Sequence, residues 1–141
     1  MNATTLYQGV LKDHFRHPRN CGDLSDADVV RRGTNPRCGD DVEVGIYYEG
    51  ETLRQVRFRG RGCSVCIASA SLMSEAVAGR SRVAARQLAE EMKQWFSSGE
   101  GSQVPDPPES LQALSAVRGY PARRRCVLLA WEALDDALGV A

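Results

Sequence analysis

Cys38, Asp40, Cys63 and Cys126 are the residues whose types and positions could do chemistry. Cys38 and Asp40 flank Gly39 just before a strand-like stretch. Two donors at i and i+2 around a glycine can converge on one ion, because the glycine lets the backbone bend sharply. Cys63 follows Gly60-Arg61-Gly62 where the pattern turns helical. A helix N-terminus favours a thiolate through its dipole and unpaired amides. Cys126 comes directly after Arg123, Arg124 and Arg125, whose guanidinium groups would favour a thiolate too. A Cys/Asp/Cys/Cys set suits tetrahedral zinc, and each member sits at an element boundary where segments can meet. The bland reading stands beside it: cysteines are among the most buried residues and would then only fill space.

Cys63-Ser64-Val65-Cys66 is the one local motif with a familiar spacing. It fits two metal ligands, or a redox-active pair at a helix start. The redox reading expects strand–helix–strand surroundings, which the helix-rich second half does not supply. No second CxxC exists, so a two-knuckle zinc ribbon is out. His14 and His17 are spaced i, i+3 and read as solvent-facing residues near a helix end rather than ligands. Cys21 lies in a polar turn and reads as incidental. Arg57, Arg59 and Arg61 form a basic stripe, either a solvated strand face or a docking surface for an acidic partner. Met92, Trp95 and Phe96 read as core. There is no phosphate-binding glycine loop, no Ser/His/Asp set and no His-Glu-x-x-His motif, which argues against a hydrolase or NTPase.

The elements that must position these residues follow from periodicity. Residues 3–17 read as a helix with Leu6, Val10, Leu11 and Phe15 on one face and Thr4 or Thr5 as cap. A short extended piece is expected near Val29-Val30, followed by a turn-rich stretch from Thr34 to Asp40. Val42, Val44, Ile46 and Tyr48 alternate as a strand buried on one face. Glu49-Gly50-Glu51 then makes a tight hairpin to a partner strand over about 52–59, whose alternation Leu53 breaks. Helices are expected from Ser64 to about Val77 and after a Ser81 cap, the latter with Ala84, Leu88, Met92 and Trp95 on one face. A Gly/Ser/Pro linker over 97–108, a short helix over about 108–117 and a last helix over about 122–138 complete the chain. Val127, Trp131, Leu134 and Leu138 form the last helix's stripe. Strands first and helices last predict an α+β fold, a small antiparallel sheet of about three strands with helices packed on one face.

Composition bounds the rest. The chain has 141 residues, of which 43% are apolar. That is one domain's worth, spanning residues 1–141, with enough apolar content for a core. The 18 basic and 18 acidic residues cancel, which argues against a dedicated nucleic-acid binder. No apolar run approaches the ~18–20 residues of a membrane span, and no secretory leader is visible. A cytoplasmic location is the expectation. Five cysteines without an export signal disfavour a disulfide framework in a reducing compartment.

Three separated blocks carry a family resemblance: Asn35-Pro36-Arg37-Cys38-Gly39-Asp40-Asp41; Gly60-Arg61-Gly62-Cys63 with Ala68-Ser69-Ala70-Ser71-Leu72-Met73; and Arg125-Cys126 followed by Leu129-Ala130-Trp131. In this order they closely resemble the signature blocks of the SufU/IscU family, the iron–sulfur cluster assembly scaffolds and sulfur acceptors that share a fold with the NifU N-terminal domain. Leu6-Tyr7, Asp13-His14-Phe15 and Pro18-Arg19-Asn20 resemble that family's first helix and turn. The long Cys63-to-Cys126 segment and Arg125, where IscU types carry histidine, point to the SufU branch.

The resemblance implies a zinc site made by Cys38, Asp40, Cys63 and Cys126. It implies a PLP-dependent cysteine desulfurase of the SufS type as partner, downstream iron–sulfur assembly proteins, and Cys38 as the sulfur acceptor. Cys66 is a departure, standing where SufU-like chains often have serine; it is a candidate extra ligand, and Asp40 would then be the member displaced. Arg123, Arg124 and Arg125 are candidates for docking the partner. The leading expectation is a zinc-dependent sulfur acceptor. The runner-up is a scaffold that assembles a [2Fe–2S] or [4Fe–4S] cluster transiently on the same cysteines. A structural zinc module for interaction is the third and weakest reading.

Overall fold

The computed structural model describes residues 3–36, 39–98 and 107–139. The element order is α1 (Ala3–Arg16), β1 (Val29–Asn35), β2 (Asp40–Glu49), β3 (Thr52–Arg61), α2 (Ser64–Val77), α3 (Arg82–Ser98), a 3-10 helix (Glu109–Val117) and α4 (Pro121–Leu138). The strands form one antiparallel sheet in the order β1-β2-β3. The expected α+β architecture is what the chain adopts.

Alternation decides what the sheet buries. Val42, Val44 and Ile46 of β2 and Leu53, Val56 and Phe58 of β3 are all fully buried. They face α4, which lies on β1 and β2, and α2, which lies on β3. The opposite face is covered more thinly. There Leu24 and Ala27 rest against Gly45, so closely that an added Cβ would meet each at 3.0 Å. Leu53 breaks the expected alternation because the register shifts between Tyr47 and Tyr48: Tyr47 pairs with Gln55 but Tyr48 with Leu53. Arg54 is left unpaired, the extra residue of a bulge, and Leu53 returns to the inner face. β1 is longer than the sequence suggests. Its Arg31, Arg32 and Thr34 carry no apolar alternation, yet the strand pairs as far as Asn35↔Asp40.

The helices follow the expected bounds closely, with differences that have physical causes. Helix α1 begins at Ala3, so Thr4 and Thr5 lie inside it rather than capping it. Its inward contact is made by Val10, Leu11 and His14, one face at i, i+1 and i+4. Leu6 and Phe15 stay largely exposed. His14 is thus buried, not solvent-facing as its position near a helix end implied; Nδ1 lies 2.8 Å from Ser71 Oγ. Ser81 caps α3 as expected, its Oγ accepting the Ala84 amide at 3.1 Å. On α3, Ala85 rather than Ala84 joins Leu88, Met92 and Trp95 in the core. The short helix expected after Pro108 is present and is a 3-10 helix. The greater part of the expected 97–108 linker lies outside the described residues, and α3 runs on through Ser98.

Helix α2 is the hub. Its run of small residues leaves it buried on most sides, and three buried serines tie it to its neighbours. Ser69 Oγ donates to the Val127 carbonyl at 2.7 Å and accepts from Trp131 Nε1 at 3.2 Å, fixing α4. Ser71 and Ser74 turn the other way, to His14, the Arg19 backbone and Asn20. These serine hydroxyls replace water for polar groups that burial would otherwise strand.

Candidate metal centre

Three elements bring their ends together at one corner of the sheet. Asp40 opens β2 with the same parity as Val42, so its side chain lies on the inner face and is 2% exposed. Cys63 is the residue at which α2 starts, held in extended backbone conformation after β3. Cys126 lies in the second turn of α4, its side chain turned inward and 4% exposed. One ligand atom from each of the three lies within 4.8 Å of the others.

The carboxylate of Asp40 organises this corner. Oδ1 accepts the Cys63 backbone N–H at 3.0 Å, and Oδ2 lies 4.0 Å from Cys63 Sγ. One residue thereby aligns the start of β2 with the start of α2, where the N-cap residue Cys63 makes no side-chain cap. Asp41 next to it points to the opposite face and pairs with Arg32. That guanidinium holds the Asp41 carboxyl below the ordinary range, so Asp41 is spoken for elsewhere. Two glycines permit the corner. Gly39, between Cys38 and Asp40, sits at φ +72° in the four-residue connection from Asn35 to Asp40, as the expected sharp bend requires. Gly60 sits at φ +144°, and a Cβ there would fall 2.0 Å from the Asp41 carbonyl oxygen.

The electrostatics differ from the sequence expectation at Cys126. Burial pushes its thiol well above the ordinary range, and neighbouring Cys63 and Asp40 push it further. The preceding arginines do not counter this, because successive helix residues radiate in different directions. Arg123 and Arg125 are exposed, and Arg124 donates to the Arg118 carbonyl at 2.9 Å. The thiol instead lies 3.8 Å from the Ala122 carbonyl oxygen. A cluster of a buried carboxylate and two thiols is a donor set that fits a soft divalent cation, whose charge would favour the ionised thiols.

The remaining candidates are placed as follows. Cys38 lies outside the described residues. Cys66, fully buried one turn into α2, is not one of the three grouped donors. Cys21 is exposed in a turn paired to β3 at Phe58. His17 is exposed at the end of α1. Of the basic stripe, Arg59 pairs with Glu43 at 3.1 Å and Arg61 is exposed, while Arg57 is half-buried.

The profile of the NifU-like N-terminal domain matches residues 6–127. The chain belongs to that family. It is 35% identical over 139 residues to the zinc-dependent sulfurtransferase SufU of Bacillus subtilis, covering 97% of this chain and 92% of that one. It is 32% identical over 133 residues to the iron–sulfur cluster assembly scaffold protein IscU of Streptococcus pyogenes, covering 94% and 82%. The crystal structure of a SUF-system scaffold protein (FiSufU) from Fervidobacterium islandicum superposes with a TM-score of 0.80 at 26% identity, over 97% of this chain and 99% of that one. The family is thus that of the SufU and IscU iron–sulfur cluster assembly proteins. The sequence reading missed Ser69 and the burial of His14. Serines recurring among the small apolar residues of this helix were the available signal for Ser69, since a buried hydroxyl must find partners.

Proposed function

We propose that this chain is a zinc-dependent sulfur acceptor in iron–sulfur cluster biogenesis, working in the cytoplasm with a PLP-dependent cysteine desulfurase of the SufS type. The supporting observation is the convergence of one ligand atom each from Asp40, Cys63 and Cys126 within 4.8 Å, with Asp40 and Cys126 buried and Cys63 half-buried. In this reading Cys38 completes the set, joined to Asp40 through the left-handed turn at Gly39. Zinc bound there would supply the positive charge that keeps thiols ionised at neutral pH.

The chain's own residues do the rest. Asp40 and the Cys63 amide hold the β2 and α2 ends in register. Cys38 is the acceptor. Its thiolate attacks the outer sulfur of the desulfurase's cysteine persulfide. The partner's S–S bond breaks, a new S–S bond forms on Cys38, and the partner's thiolate leaves, so no external oxidant or reductant is needed. Arg123 and Arg125, exposed on the first turns of α4 beside Cys126, suit the rim of a partner contact. Downstream assembly proteins would take the sulfur from Cys38.

The donor set suits iron with sulfide as well, and the IscU relatives carry the scaffold name, so cluster assembly on the same cysteines is the second reading. Purified protein with one tightly held zinc, no visible chromophore, and a Cys38 persulfide after incubation with desulfurase and cysteine supports sulfur acceptance. A visible iron–sulfide absorption band with labile sulfide overturns it in favour of a scaffold. Desulfurase stimulation lost in a folded Cys38→Ala variant excludes a merely structural metal module. Full zinc occupancy in both Cys38→Ala and Cys126→Ala would sink the four-ligand site.

A further inference from the structure

We propose that Cys63 and Cys66 are an oxidisable pair that closes reversibly as a disulfide across the first turn of α2. Its consequence for metal rests on the proposed zinc site; the disulfide itself does not. The first turn is closed by the Ile67 amide donating to the Cys63 carbonyl at 3.1 Å. Residues three apart on such a turn have Cα atoms about 5 Å from each other, inside the span of about 4.4–6.8 Å that disulfides occupy.

The direction of Cys66 is the second observation. Its sulfur points back along the helix, as helical side chains do. A Cβ built on Gly62 would lie 3.1 Å from Cys66 Sγ and 3.0 Å from Asp40 Oδ1. Cys66 Sγ is therefore packed against the backbone that leads into Cys63, and the missing side chain of Gly62 lets it come so close. Rotation of Cys63 about its own Cα–Cβ bond is then the main movement that closure needs.

Exposure sets the order of events. Cys63 is half-exposed and Cys66 fully buried. With a peroxide as oxidant, the Cys63 thiolate takes one peroxide oxygen to become a sulfenic acid, and the other leaves as water after gaining a proton. The Cys66 thiol then attacks that sulfur, the S–S bond forms, and the hydroxyl departs as a second water. In total, two thiols lose two hydrogens and one hydrogen peroxide becomes two waters. A dithiol returns both cysteines to thiols by exchange. While closed, the pair withdraws Cys63 from Asp40 and Cys126. Cys126 is the rival partner, its ligand atom being within 4.8 Å of that of Cys63.

Trypsin separates the alternatives. Cys63 and Cys66 share the fragment Gly62–Arg80, whereas Cys21, Cys38 and Cys126 each fall in a different one. The full chain, metal-free and then zinc-loaded, is titrated with hydrogen peroxide and digested without reduction. The expected result is fragment 62–80 lighter by two hydrogens, restored by dithiothreitol, and unchanged in mass by disulfide formation in Cys66→Ser and Cys66→Ala. In the zinc-loaded protein, zinc should leave in step with that mass change and rebind after reduction. A cross-link between fragments 62–80 and 126–141, or no two-hydrogen loss in the metal-free wild type, overturns the pair. Disulfide formation in a protein that never binds zinc would sustain the pair and overturn the zinc site instead.

Discussion

Asp40 has two separable duties, and two substitutions separate them. Its Oδ1 accepts the Cys63 amide at 3.0 Å, and its charge faces the two thiols. Asp40→Asn keeps a carbonyl acceptor at that position and removes the charge. Asp40→Ala removes both and leaves a half-buried N–H at the start of α2 without its partner. An unsatisfied backbone donor costs about 1–3 kcal/mol. For a chain near this size that is a melting temperature lower by about 2–12 °C. Metal-free Asp40→Asn should stay within about 1 kcal/mol of wild type, since it sheds the cost of a buried charge while keeping the hydrogen bond. With zinc present the order changes. Losing a ligand charge should weaken zinc by about a hundredfold or more in both variants, removing roughly 2.7 kcal/mol of metal-linked stabilisation under saturating zinc. Thermal unfolding of the three proteins with chelator and with excess zinc reads both effects. Equal stability of the Asn and Ala variants without metal would refute the aligning role of Oδ1. Zinc-linked stabilisation equal to wild type in both would refute Asp40 as a ligand.

Other outcomes follow from single features. Burial between α1 and α2 lowers the His14 pKa, with Arg19 adding to the effect and Glu75 and Asp13 opposing it. The unfolded chain therefore binds the proton more readily, so stability is held above pH 6.5 and falls as pH drops through the folded-state value. Denaturant unfolding between pH 7.5 and about 5 should show a slope that His14→Gln flattens, and equal slopes would refute it. Gly60→Ala should cost at least about 3 kcal/mol, because its φ of +144° and the Asp41 carbonyl 2.0 Å from the added Cβ leave no room; a melting temperature near wild type would contradict the geometry. Arg123→Gln with Arg125→Gln should weaken desulfurase binding mainly at low salt and mainly through the association rate, while Arg124→Gln should instead cost some local order, since its side chain holds the Arg118 carbonyl. Unchanged affinity of the double variant at low salt would remove α4 from the docking surface.

Much of the fold was legible because its periodicities are clean. The alternation of Val42, Val44 and Ile46, the hairpin at Gly50 and the buried stripe Val127, Trp131, Leu134 and Leu138 each name an element and a buried face. What escaped was decided by partners rather than by local pattern. β1 is a strand because β2 offers it a ladder, although Arg31, Arg32 and Thr34 lack the alternation that would announce it. Leu53 looked out of phase because a bulge at Arg54 is a property of two paired strands. His14 looked exposed because its packing partner, Ser71, stands 57 residues away.

At the site, the residue types were readable but the field acting on them was not. Three consecutive arginines suggest a thiolate at Cys126, yet a helix turns each side chain by about 100° from the last, so sequence neighbours are not spatial neighbours. Among the described residues, Asp40 from β2 and Cys63 from α2 lie beside Cys126, and after burial itself both raise its pKa. With its thiols ionised, such a cluster would push itself apart unless something held the elements together. Part of that holding is done away from the ligands: Ser69 takes both the Val127 carbonyl and the Trp131 indole, next to and one turn beyond Cys126. Under the proposed sulfur-acceptor reading, a site whose Cys38 thiolate serves both as metal ligand and as nucleophile needs its elements fixed by bonds other than those to the metal. The buried serines of α2 supply such bonds, which is why an apparently inert run of small residues belongs to the working part of the molecule.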